Sequence, residues 1–252
     1  MTLYASQSMA GQHPTSERGN VGEQCWALVA GQRRDLADAV ADLPGAAWDT
    51  PSLCAGWRVR DVVAHVVGNA EGAFTARRAL PALLAHRFNI AAWLYDDGRR
   101  RGAADPAELV TRLRESAGNT FQPPGRKPAD VLADVIIHCQ DVFVPLGIDR
   151  HAGAAAVLAA LVISVPQGPP LHTGRRAAGL RLRATDLDWE WGEGEEVTGT
   201  GEALLMAVTG RGAPASRLAG PGAALLAGRC QTGAPRSGGA DPGRGRAGIV
   251  RS

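Results

Sequence analysis

Within ADVIIHCQDVF, residues 133–143, two carboxylates and an imidazole interrupt a run made mostly of Val, Ile and Phe. His138 follows Asp134 by four residues and Asp141 follows His138 by three, so on a helix all three share one face. The remaining positions, Val131, Leu132, Val135, Ile136, Val142 and Phe143, are apolar. A lone carboxylate inside a protein is costly, and burying it as an ion pair rarely recovers the whole cost. Two explanations fit the spacing. The stripe is either a solvated face with local hydrogen bonds, or it holds a divalent cation, for which carboxylate and neutral imidazole are both ligands.

A second segment bears on the choice. In GWRVRDVVAHVVGN, residues 56–69, His65 lies among Val62, Val63, Val66 and Val67. Alone it reads as a core histidine. Opposite His138 on another helix it supplies what bundle metal sites use, inward groups from facing helices. His65, Asp134 and His138 would then form a two-histidine, one-carboxylate set with open positions, the pattern of a catalytic site. Asp141 is an alternative ligand or an acceptor that orients an imidazole from behind. Cys139 falls about 100° round the helix from His138 and should not reach the same ion. Cys54 reads as structural, and His13, His86, His151 and His172 show no partner pattern.

These residues need elements to position them. Apolar residues recur at helical spacing over 21–44, with Pro44-Gly45 as the stop, and again from about 58, possible bends at Gly68 or Gly72, toward Phe74. ADPAEL opens a further helix, with Asp105 as cap, Pro106 at the first helical position and Glu108 closing a capping box. Pro128 begins the helix of the Asp-His-Asp stripe, and another spans about 152–165. Four main antiparallel helices of this kind make an up-and-down bundle, or a variant with a longer crossover. Beyond Pro166 the texture changes to short alternating segments at 179–185, 186–192 and 195–200, a helix over 201–211 capped by Thr200, and a last helix within 218–229. The expected organisation is therefore a tail over 1–20, a helical bundle domain over 21–166, a small α+β domain over 167–230 and a disordered Gly/Arg-rich tail over 231–252.

Composition narrows the class. The 252 residues carry a formal charge of +2 with 45% apolar and 21% charged residues, so no electrostatic pull toward nucleic acid or anionic lipid is expected. Lys127 is the only lysine, and with heavy Ala and Gly use this suggests a GC-rich bacterial coding sequence. The four scattered cysteines show no CxxC pair, which argues against a disulfide scaffold and fits a reducing cytoplasm. The longest apolar stretch, AAAVLAALVISV, is short of the ~20 residues a membrane-spanning helix needs, and no secretory leader is seen.

TPSLCAGWRVRDVVAHVVG, DVLADVIIHCQDVFVPLG, and GLRLRATDLDWEWGEGEEVTGTGEALLMAVTGR with LAGPGAALLAGR, in that order, resemble three segments of the mycothiol-dependent maleylpyruvate isomerase family. That family lies within the DinB-like four-helix metalloenzyme superfamily, and the resemblance covers roughly residues 24–230. It implies a DinB-like bundle followed by a small α+β domain, with metal ligands at His65, Asp134 and His138. The family usually has Glu where Asp134 stands, one methylene longer. The resemblance also implies a divalent metal, zinc, that activates the thiol of mycothiol, the small thiol of actinobacteria. The implied activity is cis–trans isomerisation of a conjugated electrophile or transfer of the thiol to it, in a cytoplasmic monomer or homodimer. A metal-dependent hydrolase and a non-catalytic binding protein remain as alternatives. Arg58, Arg60, Arg77, Arg78, Arg181, Arg183 and Arg211 are arginines that could hold an anionic ligand, with solvated surface charge the common case for each.

Overall fold

The computed structural model describes residues 14–167 and 173–231. The chain is mostly helical, with a small three-stranded sheet. Helix α1 (Pro14–Val40) is followed by a 3-10 turn (Gly45–Asp49), α2 (Val59–Ala70), α3 (Ala76–Ala85), α4 (Ile90–Arg101), α5 (Pro106–Ser116), α6 (Pro128–Leu146) and α7 (Ala154–Ser164). Then come α8 (Thr173–Ala177), β1 (Leu180–Ala184), β2 (Glu190–Trp191), β3 (Glu195–Gly199), α9 (Gly201–Val208), α10 (Gly212–Ala215) and α11 (Ala223–Gln231). The sheet order is β2-β1-β3, with β1 antiparallel to β2 and parallel to β3.

Helix α6 is the axis of the helical part and packs against α1, α2 and α7. Its apolar residues point almost all the way round: Leu132, Val135, Ile136 and Val142 are fully buried. Helix α2, whose Val62, Val63, Val66 and Val67 are buried, packs against it and also rests on α4 and α5. Each buried Val side chain contributes roughly 1.5–3 kcal/mol. The apolar matching therefore seats the two helices, and the polar groups between them follow. Helix α6 ends where Gly147 turns left-handed at φ +67° and its N–H closes back on Phe143 and Val144. Helix α9 joins the second part of the chain to α6 and α7, and Thr200 caps it by accepting from the Ala203 N–H at 3.3 Å.

Several expectations change. Helix α1 begins at Pro14, so residues 14–20 are helical instead of part of a tail, while residues 1–13 and 232–252 lie outside the described residues. The helix expected to run toward Phe74 stops at Ala70, because Gly72 turns the chain at φ +73°. Two helices that the sequence pattern did not reveal, α3 and α4, follow it and return Trp93 to within 5.3 Å of the Phe74 ring. At the start of α5, Asp105 accepts from the Ala107 and Glu108 N–H groups, but Glu108 pairs with Arg112 at 3.2 Å and does not close a capping box. None of the described helices is long and apolar enough to cross a membrane.

The α2–α4 contact is close. Asp61, fully buried in the first turn of α2, accepts from the backbone and guanidinium of Arg58 and from Arg99 of α4 at 2.9 to 3.1 Å. Gly102, directly after α4, lies against it: a methyl there would fall on the Asp61 carboxylate and 2.9 Å from the Asp61 Cα. Gly102→Ala is expected to destabilise the protein by about 1–3 kcal/mol in urea titration. A change below ~0.5 kcal/mol would mean that α4 can slide off α2 at little cost.

Candidate metal centre

Helix α2 presents His65 one turn after the anchored Asp61, and α6 presents Asp134 and His138 one turn apart. One donor atom from each of His65, Asp134 and His138 lies within 4.8 Å of the others. Both imidazoles are buried, their centroids 4.9 Å apart with one ring edge-on to the other. Asp134 Oδ1 lies 3.5 Å from His138 Nε2. Asn69, one turn beyond His65, donates its amide to Asp134 Oδ2 at 2.8 Å and lies 3.2 Å from His65 Nε2. The spacing of Asn69 from His65, four residues, was readable, but an Asn at the end of a Val-rich helix gave no reason to single it out.

Asp141 does not join the three. It lies on the other side of His138, where its Oδ2 is 2.9 Å from Nδ1. Its two oxygens also accept from Arg211 Nε at 2.9 Å and Nη2 at 2.7 Å, a bidentate pair reaching over from the chain after α9. Asp141 therefore takes the Nδ1 proton of His138 and leaves Nε2 turned toward Asp134. Of the two roles open for it, the geometry matches an orienting acceptor.

Charge is distributed unevenly over the cluster. Burial, reinforced by the nearby His138, pushes the His65 pKa down to about 4, so this ring is neutral at pH 7. Burial would also lower His138, but Asp134 on one nitrogen and Asp141 on the other outweigh it and raise the pKa to about 9. Burial opposes ionisation of Asp134 as well. His138 and then His65 nevertheless hold its carboxyl well below the usual range. For Asp141 the same contest against burial is decided by Arg211 and His138, which bring it to about 2.

Two imidazoles and a carboxylate are a donor set suited to a divalent cation. The Asn69 N–H aimed at His65 Nε2 leaves the His65 proton on Nδ1, and that atom is buried without a hydrogen-bond partner. Besides the Asn69 contact, the ring is held by Trp57 and Phe74, with centroids 5.1 and 5.5 Å away. A cation could take the place of the proton that His138 now shares with Asp134. The residues present fit such an ion.

Other sequence candidates separate clearly. Cys54 lies beside the cluster, since Leu53 N–H donates to the Asp141 carbonyl at 3.1 Å; burial and the Asp141 charge push its thiol up to about 12. Cys139 is buried and points at the Gln32 carbonyl, away from His138. Arg58 and Arg60 pair with Asp49 near the start of α2, and Arg181 and Arg183 pair with Glu190 and Glu196 on the sheet. The Arg78 side chain, His13 and His172 lie outside the described parts. Beside His65, Asn69 and Asp134 opens a cleft of about 460 Å³ whose cationic side chain is Arg126, a residue the sequence reading passed over.

Comparisons with known proteins bear on the fold and on what the chain is similar to. A family model, the mycothiol maleylpyruvate isomerase N-terminal domain, matches residues 29–136. Two uncharacterized proteins of Mycobacterium tuberculosis, from strains CDC 1551 / Oshkosh and ATCC 25618 / H37Rv, are each 28% identical over 217 residues, 71% of this chain and 82% of theirs. Among solved structures, the mycothiol-dependent maleylpyruvate isomerase is similar with a TM-score of 0.50 and 16% identity, over 79% of this chain and 92% of that one. A histidine-to-alanine mutant of that isomerase matches with the same TM-score at 15% identity. The two structures share the fold of this chain. The matched segment contains His65 and Asp134 and ends two residues before His138. Through residues 29–136, the chain is similar to the mycothiol maleylpyruvate isomerase N-terminal domain family.

Proposed function

We propose that this protein is a divalent-metal- and mycothiol-dependent enzyme that isomerises a small conjugated electrophile or transfers the thiol to it. In this reading α1, α2, α5 and α6 form the DinB-like bundle, within a domain over 21–166, and residues 167–230 form a second domain that braces it. His65, Asp134 and His138 are the metal ligands, and Asp141 orients His138. The observation that carries the proposal is the convergence of these three donors within 4.8 Å, two of which, His65 and Asp134, line an open cleft. Zinc suits the donor set. A divalent ion bound there supplies Lewis acidity that lowers the pKa of the mycothiol thiol, so that thiolate is available at neutral pH.

The chain's own residues supply the rest. Asp141 retains the Nδ1 proton of His138, and Arg211 balances the Asp141 charge so that the proton stays on the ring. Asn69 fixes the second oxygen of Asp134, which directs the first toward the imidazoles. Asp134 comes this close to both histidines although it is a methylene shorter than the Glu usual in the family. Trp57 and Phe74, both buried, keep water from the flanks of His65. The free thiols of Cys25, Cys54, Cys139 and Cys230 suit a reducing compartment such as the cytoplasm.

Metal-replete protein assayed on a cis-configured conjugated keto acid is expected to turn it over only when mycothiol is added. Turnover that persists without any thiol would replace the proposal with a hydrolase using bound hydroxide. Absence of turnover with and without thiol, across a panel of electrophiles, would leave a non-catalytic metal- or ligand-binding protein.

A further inference from the structure

The cleft at the metal centre has a composition of its own. Its floor is His65, Asn69 and Asp134, and its walls are the rings of Phe74, Trp93 and Phe121 with Ile90 and Leu94. The rings of Phe74 and Trp93 meet edge to face at 5.3 Å, and Phe121 lies against Gly72, the turn that ends the α2 segment. A volume of about 460 Å³ takes a ligand of roughly a dozen heavy atoms, well within the usual size of small-molecule sites. Such walls gain most from a flat apolar body, because each ring buried against another adds about 0.5–1.5 kcal/mol beyond its area.

Polar recognition is concentrated at one place. Among the described lining residues the charged side chains are Arg126, Asp130 and Asp134. Asp130 is already held by the Lys127 N–H at 2.8 Å and by Gln167 at 3.2 Å, so its contact with Arg126 is one marginal bond at 3.4 Å. The planar guanidinium keeps N–H groups for a carboxylate, which it recognises bidentately. Away from the metal ligands, a second carboxylate on the same ligand would meet Asp130 or the rings of Phe74, Trp93 and Phe121, with no further cationic side chain among the described lining residues.

We propose that the cleft binds a monoanionic acid with a flat, aromatic or otherwise apolar body, its carboxylate on Arg126 and its body between Phe74, Trp93 and Phe121. Taken with the thiol-dependent chemistry proposed above, on which this extension rests, the electrophile is an aryl or alkenyl keto acid and not a small polar diacid. Arg126 is then the residue that selects for the acid.

Binding can be tested without the reaction. Calorimetric titrations of the full chain, its metal content recorded and no thiol present, would use three probes. These are 3-benzoylpropionate, which is saturated and unreactive, its methyl ester, and succinate. The acid is expected to bind at least about tenfold more tightly than the ester, the scale of a charge-assisted bidentate contact, and more tightly than succinate. In Arg126→Gln the acid should fall to the level of the ester, while ester binding stays as in the parent. Failure of the acid to bind, equal binding of acid and ester in the parent, tighter binding of succinate, or discrimination that survives in Arg126→Gln would each overturn the proposal. The last result would assign the carboxylate to the metal. Because no thiol or turnover is involved, these outcomes are independent of whether the proposed reaction is found.

Discussion

His138→Ala is expected to strip the protein of bound metal. Parent protein purified without chelator or affinity histidines, and supplied with zinc, should carry about one equivalent per chain by elemental mass spectrometry, the stoichiometry of a single three-ligand site. The alanine variant should retain a small fraction of that. His138 contributes more than one of three donors: its Nε2 faces Asp134 at 3.5 Å while Asp141 fixes its other nitrogen at 2.9 Å. Removing it leaves Asp134 and His65 as a two-point site and frees Asp141 from its imidazole. His151 serves as the control. It is bonded to Glu202 at 2.7 Å, well separated from the cluster in role, and His151→Ala should keep its metal. Equal metal in parent and His138→Ala, or a parent that stays empty after zinc loading, would eliminate the metal reading and with it the enzymatic proposal.

The second large effect is on stability. Arg211→Met should cost about 3–5 kcal/mol in urea unfolding, because it leaves the fully buried Asp141 carboxylate without its bidentate partner. Part of the cost should return in Arg211→Met with Asp141→Asn, where no charge is left unpaired. The pair also gives the protein an acid limit. Its native environment depresses the Asp141 pKa from 3.8 to about 2, so its contribution is complete above about pH 4 and is lost as pH falls toward 2. The stability gap between parent and Arg211→Met should therefore be widest at neutral pH and narrow as pH falls toward 2. A gap below ~1 kcal/mol at pH 7 would mean that the pair is weakly coupled to folding.

The grouping of the candidate donors was legible because they obey local spacing. His65 and His138 each stood out as a polar residue in a valine-rich helix, and the four-residue interval from Asp134 to His138 placed them on one face. The partners that refine the cluster were not legible by the same means. Arg211 meets Asp141 across seventy residues of chain, and no short-range pattern encodes that distance. Arg126 sits in a Pro/Gly-rich loop, where neither helical nor strand periodicity applies. In the fold, α3 was obscured by Pro81 within it and α4 by the run Arg99–Arg100–Arg101, which breaks an amphipathic count. The alternation over 186–192 promised a full strand, yet only Glu190–Trp191 pairs, because Leu187 and Trp189 close a turn just before it. Sheet order was beyond reach for a different reason: β1 pairs in parallel with β3 and antiparallel with β2, and alternation within a strand does not encode its neighbours.

The salt link from Arg211 to Asp141 makes the pitch of one imidazole depend on a residue outside the helices that hold the donors. A chain cut after α7 would keep His65, Asp134 and His138 and lose the guanidinium that anchors Asp141. Helices α2 and α6 are thus not a cassette that can be transplanted with its chemistry intact. Any graft or truncation of this chain has to carry Arg211 along with Asp141 to keep that link.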